Sequence, residues 1–350
     1  MPIPCMHRTG LVGLAISLSL AACAANPPVP SEGSSSATPS VSTADSPSDA
    51  PSTTGSGAVA DGYPVTIENC GISMTYEQSP ERAVSLNQGS TEVMLSLELQ
   101  DKMVGTAYWD DLQVSPRFAE AYNNIPIINE KWPNLEQFLA ARPDFAYASY
   151  GGVFSDKFTK AREDLLADGI RTYVTEDDCE QGTITTWEDI WRQLDEIAAI
   201  FGVPERATAL RTTQKQKLDE LRAQNVGNGA TAVWWDNETD KPFLGGGTGG
   251  PQLILDAVGL TNAFADQQKN WFNGSWEDVI AADPDWIVLI DATWGPADQK
   301  KEYLKNDPAL NRLRAVQEEK YLVIPYSETT PGVTMVDGAQ RLAAQLESAS

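Results

Sequence analysis

The chain has almost no histidine; the single one, His7, lies at its very start. Beyond it there is no imidazole to act as a general base, which excludes a histidine-based catalytic triad and the usual nitrogen ligand of zinc or manganese. Cations are also scarce. Lys and Arg total 25 against 49 Asp and Glu, a net charge of −24, and the basic clusters needed to hold nucleic acid or an anionic membrane surface are absent. The apolar run Leu11–Leu20 is too short to cross a bilayer. Cysteine is limited to four residues.

What is present begins with a leader. His7 and Arg8, the short apolar core and the small residues before Cys23 describe a secretory signal over residues 1–22. Leu20-Ala21-Ala22-Cys23 resembles a bacterial lipobox, which implies cleavage before Cys23 and a lipid on that residue. An ordinary signal peptide with an incidental cysteine is the alternative. Residues 23–61 are Ser, Thr, Pro, Ala and Gly with almost no large apolar side chain, and are expected to form a disordered tether. Cys70 and Cys179 then remain in the folded part. An even pair in an exported protein is expected to form a disulfide, two buried thiols being the alternative.

From residue 62 onward, strand-like and helix-like runs alternate. Arg82–Leu86, Met103–Tyr108, Ile125–Ile128, Phe145–Tyr150 and Ile170–Val174 read as strands, and Asp156–Asp168 as an amphipathic helix. Trp187, Ile190, Trp191, Leu194, Ile197 and Phe201 form one helical stripe, so both tryptophans are expected in a core. Pro204 opens a long polar helix that reads as a stiff, solvent-exposed bridge. After Gly227-Asn228-Gly229 the alternation resumes with Ala230–Trp235, Trp286–Ile290, Tyr321–Ile324 and a closing helix, Met335–Leu346. The expected fold is α/β: two doubly wound αβ lobes, 62–203 and 225–350, joined by a bridging helix over 204–224, with a ligand cleft between lobes. The glycine run from Gly245 to Gly250 lacks both P-loop and dinucleotide spacing. It reads as a hairpin or a close backbone approach to ligand.

Two twelve-residue stretches, Asn134–Phe145 and Ser275–Trp286, echo each other. Each has Glu near a helix start (Glu136, Glu277), an Ala-Ala pair, then Pro-Asp and an apolar strand. Aromatic residues also recur at or just beyond strand ends: Trp109, Trp132, Tyr150, Trp234, Trp235, Trp271, Trp294 and Tyr326. Rings there would line a cleft able to stack on a flat or bulky ligand, although Trp234 and Trp286 read as core.

Ala83-Val84-Ser85-Leu86 with Thr91-Glu92, Met103-Val104-Gly105, Leu135-Glu136 with Arg142-Pro143-Asp144, and Gly169-Ile170, in that order and spacing, resemble the substrate-binding lipoproteins of the iron-siderophore and vitamin B12 class of ABC importers. The resemblance spans Gly62 to Leu346. It implies a monomeric receptor with no enzymatic activity, lipid-anchored at the outer face of the cell membrane and touching the membrane only through that anchor. Its implied partner is an ABC permease, onto which Glu136 and Glu277 dock. The cleft positions it implies are Asn87, Gln88, Trp109, Trp132, Tyr150, Trp271 and the Tyr326–Thr330 loop, to which aromatic placement adds Trp235 and Trp294. The expected ligand is a ferric siderophore or similarly bulky chelate, with no resident cofactor beyond iron carried in the ligand and no bare metal ion. A corrinoid, a haem or a deazaflavin-type molecule (an F420 precursor) is the alternative. A secreted hydrolase using two carboxylates is the alternative of another class.

Overall fold

The structure, a computed structural model, describes residues 62–108, 114–175, 179 and 184–349. The expectations for residues 1–61, Cys23 among them, and for Trp109 lie outside the described residues. The described residues form one compact unit. No described helix is long and apolar enough to cross a membrane.

An antiparallel hairpin comes first, β1 (Val65–Asn69) and β2 (Ile72–Tyr76), turning at Cys70-Gly71. Next come β3 (Ala83–Ser85), α1 (Gln88–Ser96), β4 (Met103–Ala107), α2 (Ala119–Asn123), β5 (Ile127–Asn129), α3 (Leu135–Ala140), β6 (Phe145–Ala148), α4 (Arg162–Ala167) and β7 (Arg171–Val174). Their sheet has the order β5-β4-β3-β6-β7 and is parallel throughout. The helix expected from Asp156 is shorter. Thr159, buried and bonded to the Val153 carbonyl at 2.7 Å, holds the preceding stretch as a loop.

Two helices follow, α5 (Trp187–Ile200) and α6 (Pro204–Gln224). The second sheet contains β8 (Thr231–Asn237), β9 (Phe243–Gly245), β10 (Thr261–Asn262), β11 (Trp271–Asn273), β12 (Trp286–Asp291) and β13 (Tyr321–Pro325). Around it lie α7 (Gly249–Val258), α8 (Trp276–Ala282), α9 (Ala297–Asn306), α10 (Arg314–Gln317) and α11 (Met335–Ser348). Its path is β11-β9-β8-β12-β13 with β10 beside β8. It is mixed, because β9 and β11 pair antiparallel while β8, β12 and β13 run parallel.

Alternate strand residues enter separate cores, as the two-residue repeat requires. Phe145 and Tyr147 face one core and Ala146 and Ala148 another; Trp234 and Trp235 likewise point to opposite sides of β8. Helix α5 belongs to both lobes. Trp187, Ile190 and Trp191 pack into the core of the second sheet, Leu194, Ile197 and Ile200 into that of the first. Helix α6 does the same with Ala207 at one end and Leu218 and Leu221 at the other. The long helix is therefore not a free-standing strut. It is half of a helix pair packed on both cores, and Gln214 inside it receives the Trp191 indole N–H at 2.9 Å and donates to the Val333 carbonyl at 2.8 Å.

The glycine run is explained by close packing within the protein. A Cβ on Gly246 would sit 2.1 Å from the Lys269 carbonyl oxygen, and one on Gly247 would sit 1.9 Å from that of Ala265. The approach expected toward a ligand is made instead to the loop leading into β11. Cys70 and Cys179 are joined in a disulfide, with Cα atoms 5.2 Å apart.

Candidate functional site

In open α/β sheets, ligands meet the loops at the carboxyl ends of parallel strands. Tyr108 ends β4, Trp132 follows β5, Tyr150 follows β6, Trp294 follows β12 and Tyr326 follows β13. These rings form one continuous chain across both sheets. Phe158 meets Trp132 edge-on at 4.8 Å, Trp132 lies 5.0 Å from Tyr108, and Tyr108 meets Tyr150 edge-on at 6.2 Å. On the other side Tyr326 meets Trp294 edge-on at 4.6 Å. The link between lobes is a hydrogen bond between the hydroxyls of Tyr150 and Tyr326 at 2.5 Å. Gly89 adds a second point of approach, since a Cβ there would lie 3.7 Å from Thr330 of the opposite lobe. Arg117 and Asp337 form a third, an ion pair at 3.1 Å.

Trp132, Tyr150, Trp294 and Tyr326 thus come together as expected of a cleft, and Trp294 is 46% exposed. Tyr108 was not singled out from sequence; its place at the end of an expected strand was the available signal. The Trp132 indole nitrogen is buried and has no hydrogen-bond partner among the described residues.

Four expected ligand contacts have partners within the protein. Asn87 and Gln88 are buried. Asn87 accepts from the Ser149 amide at 2.8 Å, tying the ends of β3 and β6 together, and Gln88 donates to Glu92 at 3.0 Å. Trp235 is 1% exposed, packs edge-on against Trp276 at 4.8 Å and commits its N–H to the Asn237 carbonyl. Both faces of β8 are covered, so its two adjacent tryptophans are both interior. Trp271 stacks on Phe243 at 5.5 Å on edge strand β11, at the opposite edge of the sheet from the strand leading to Tyr326.

Behind Trp294 lies a buried charged cluster. Lys300 on α9 donates to the Ile290 carbonyl, with the Gly295 backbone beside its stem. Burial brings its ammonium down to about 8 against the opposing pull of Asp236 and Asp291. Asp236, at the end of β8, is pushed by burial up to about 6 although Lys300 draws it down, and its Oδ1 has no hydrogen-bond partner among the described residues. Asp291 accepts from the Ala297 amide at 2.8 Å and closes the loop that carries Trp294.

The echoed stretches divide into structural and unassigned parts. Asn134 accepts from the Gln137 amide at 2.9 Å and Ser275 from the Asp278 amide at 3.1 Å, capping α3 and α8. Phe138 and Val279 are buried. Each helix ends at a left-handed residue, Arg142 (φ 50°) or Asp283 (φ 38°). The aspartate after each proline then clamps the start of a neighbouring strand: Asp144 accepts from the Arg82 amide and Asp285 from the Thr231 amide, both at 2.9 Å. An arginine braces each corner, Arg82 on the Ala141 and Arg142 carbonyls and Arg314 on Asp283. Glu136 and Glu277 are different. Both are exposed, both occupy the second helical position, and among the described residues neither has a hydrogen-bond or ion-pair partner.

Two αβ sheets facing each other through their strand ends, bridged by packed helices, match a known pattern. A family model described as periplasmic binding protein matches residues 84–327. The chain belongs to the periplasmic binding protein family. The "Uncharacterized ABC transporter substrate-binding lipoprotein YvrC" of Bacillus subtilis is 23% identical over 80% of this binding protein and 85% of its own length. A periplasmic binding protein from Veillonella parvula superposes with a TM-score of 0.72 at 29% identity, covering 81% of this chain and 97% of that one. The structure of an ABC-type Fe3+-hydroxamate transport system from Saccharomonospora viridis gives a TM-score of 0.69 at 25% identity, covering 81% and 99%. The Bacillus and Saccharomonospora proteins are thus both named for ABC transport.

Proposed function

We propose that this binding protein is the lipid-anchored receptor of an ABC importer, capturing a ferric siderophore or similarly bulky iron chelate between its lobes and delivering it to the permease. The observation that carries the reading is the ring chain ending in the Tyr150–Tyr326 contact. Ring faces supply stacking area, and two phenol hydroxyls meeting where the lobes touch supply hydrogen bonds to the oxygen-rich surface of a ferric chelate. The similar Saccharomonospora protein is named for an Fe3+-hydroxamate transport system, and the lack of histidine beyond His7 disfavours a bare divalent ion. Glu136 and Glu277, exposed and without a hydrogen-bond or ion-pair partner among the described residues, would dock on basic groups of the permease.

Tryptophan fluorescence titration with ferrioxamine B should show quenching and a Kd below about 1 μM, roughly −8 kcal/mol. Tyr326→Phe removes one hydroxyl at the lobe contact and should weaken that affinity about five- to tenfold, the scale of one lost hydrogen bond. Quenching by haem or cobalamin but not by ferric chelates would replace the ligand class, and turnover of a glycoside or ester panel would replace the receptor reading altogether. Glu136→Gln with Glu277→Gln should leave the titration unchanged and cut uptake by cells at least about tenfold, since each charge pair is a large part of an interface contact; normal uptake would remove the docking role.

A further inference from the structure

The surface around the two unpartnered glutamates is unequal. Among the described residues, the exposed large apolar side chains are Ile127, Leu135, Leu139, Ile280 and Trp294. Trp294 belongs to the ring chain. The other four all lie on the echoed helices or on β5, which packs beside α3.

The aligned echoes allow a position-by-position comparison. Three residues after each glutamate stands an exposed aliphatic, Leu139 at 40% and Ile280 at 38%. One residue before, the lobes differ. Leu135 is 36% exposed, whereas its counterpart Trp276 turns inward, edge-on to Trp235, with its N–H on the Thr239 carbonyl at 2.5 Å. Leu135 and Leu139 are four apart and so share one face of α3, with Glu136 bordering it. Ile127, 47% exposed, lies on the edge strand β5 that packs beside α3. After the glutamate, α3 continues with neutral Gln137 and α8 with a second exposed carboxylate, Asp278. Within the helices themselves α3 carries one charge and two exposed aliphatics, and α8 two carboxylates and one exposed aliphatic.

We propose that docking is divided unequally between the lobes. The α3 patch, Leu135 and Leu139 around Glu136, seats in an apolar recess of the permease flanked by an arginine or lysine and holds the complex together. The α8 patch is an electrostatic contact that steers approach. The inference rests on the docking role proposed above and assigns it different physics on each side. Desolvated apolar anchors set dissociation rates, and exposed charges set association rates and their salt dependence.

The test uses the full chain and the importer's permease–ATPase complex in lipid nanodiscs, with association and dissociation rates followed across salt concentrations. Leu135→Ser with Leu139→Ser should raise the dissociation rate at least about tenfold, equivalent to about 1.4 kcal/mol, with the salt dependence retained. Ile280→Ser should do so far less. Glu277→Gln should instead slow association at low salt and flatten the salt dependence. Unchanged ferrioxamine B titration and melting temperature establish that each variant is folded. Normal dissociation of the leucine variant, with Glu136→Gln and Glu277→Gln still impaired, would overturn the unequal division while leaving the docking role intact. Wild-type binding by both glutamine variants would overturn the docking role itself. A wild-type dimer in sedimentation that the leucine variant converts to monomer would assign the patch to a second copy of the chain and overturn the proposal.

Discussion

Lys300→Met should destabilise the protein by about 1–3 kcal/mol near neutral pH and by clearly less near pH 5, because buried Asp236 then keeps its charge without the nearby ammonium. Lys300 and Asp236 are 5% and 6% exposed, and among the described residues Asp236 Oδ1 accepts no hydrogen bond. In the native chain Asp236 titrates at about 6 instead of 3.8, so the folded state binds that proton more tightly and its stability falls as pH rises through this window. Lys300 titrates at about 8 instead of 10.5. The folded state therefore gives up that proton more easily, and stability returns as pH climbs from about 8 to about 10.5. The pair is costliest between the two folded values.

Removing the ammonium lifts Asp236 further, so protonation at low pH relieves the variant. What remains at low pH is the donor withdrawn from the Ile290 carbonyl. Adding Asp236→Asn should recover most of the neutral-pH loss, because the pair is then removed as a unit. Guanidinium unfolding of the three proteins at about pH 5 and about pH 7.5 decides the matter. Losses that are equal at both pH values would mean the two groups are not electrostatically coupled.

Replacing Cys70 and Cys179 with alanine should lower stability by about 2–5 kcal/mol. The bridge spans 109 residues of sequence, and a loop of about that length costs the unfolded chain several kcal/mol of entropy when closed. The bond ties the N-terminal hairpin to the segment entering α5. Other anchors of that region survive: Arg162 holds Asn69 at 2.9 Å, and the Tyr63 hydroxyl donates to the Ile200 carbonyl at 2.8 Å. The variant should accordingly fold, with a transition shifted to lower denaturant and insensitive to reductant. A wild type whose unfolding midpoint does not move under reductant would contradict this.

Strands buried on both faces announce themselves as short continuous apolar runs, which is why β3, β4, β6, β7, β8 and β12 were legible in the chain. The same double burial hid the role of Trp235. With both sides of β8 covered, an adjacent tryptophan pair looks identical whether one ring faces a cleft or a core. Elements too short or too polar for a periodic signal were not legible, among them β10, β11 and the largely charged α9. Asn87 and Gln88 show a second ambiguity. Polar residues after a strand suit a ligand loop, but they serve equally to satisfy backbone groups where strand ends converge, as Asn87 does for Ser149.

From the sequence alone came the family resemblance, the α/β alternation and the echo that singles out Glu136 and Glu277. Those are local patterns: apolar period, caps and a repeated helix-to-strand corner. Only the tertiary structure decided which rings share a cleft, because Tyr150 and Tyr326 lie 176 residues apart and meet through the approach of two separate sheets. It also decided how the echo divides. Cap, buried apolar residue and clamping aspartate each have a partner inside the protein, and a partner is a fact about packing that no single stretch of chain contains. The glutamates are acidic positions that make no hydrogen bond or ion pair among the described residues, because their helices turn them toward solvent while the caps and clamps beside them turn back onto the chain.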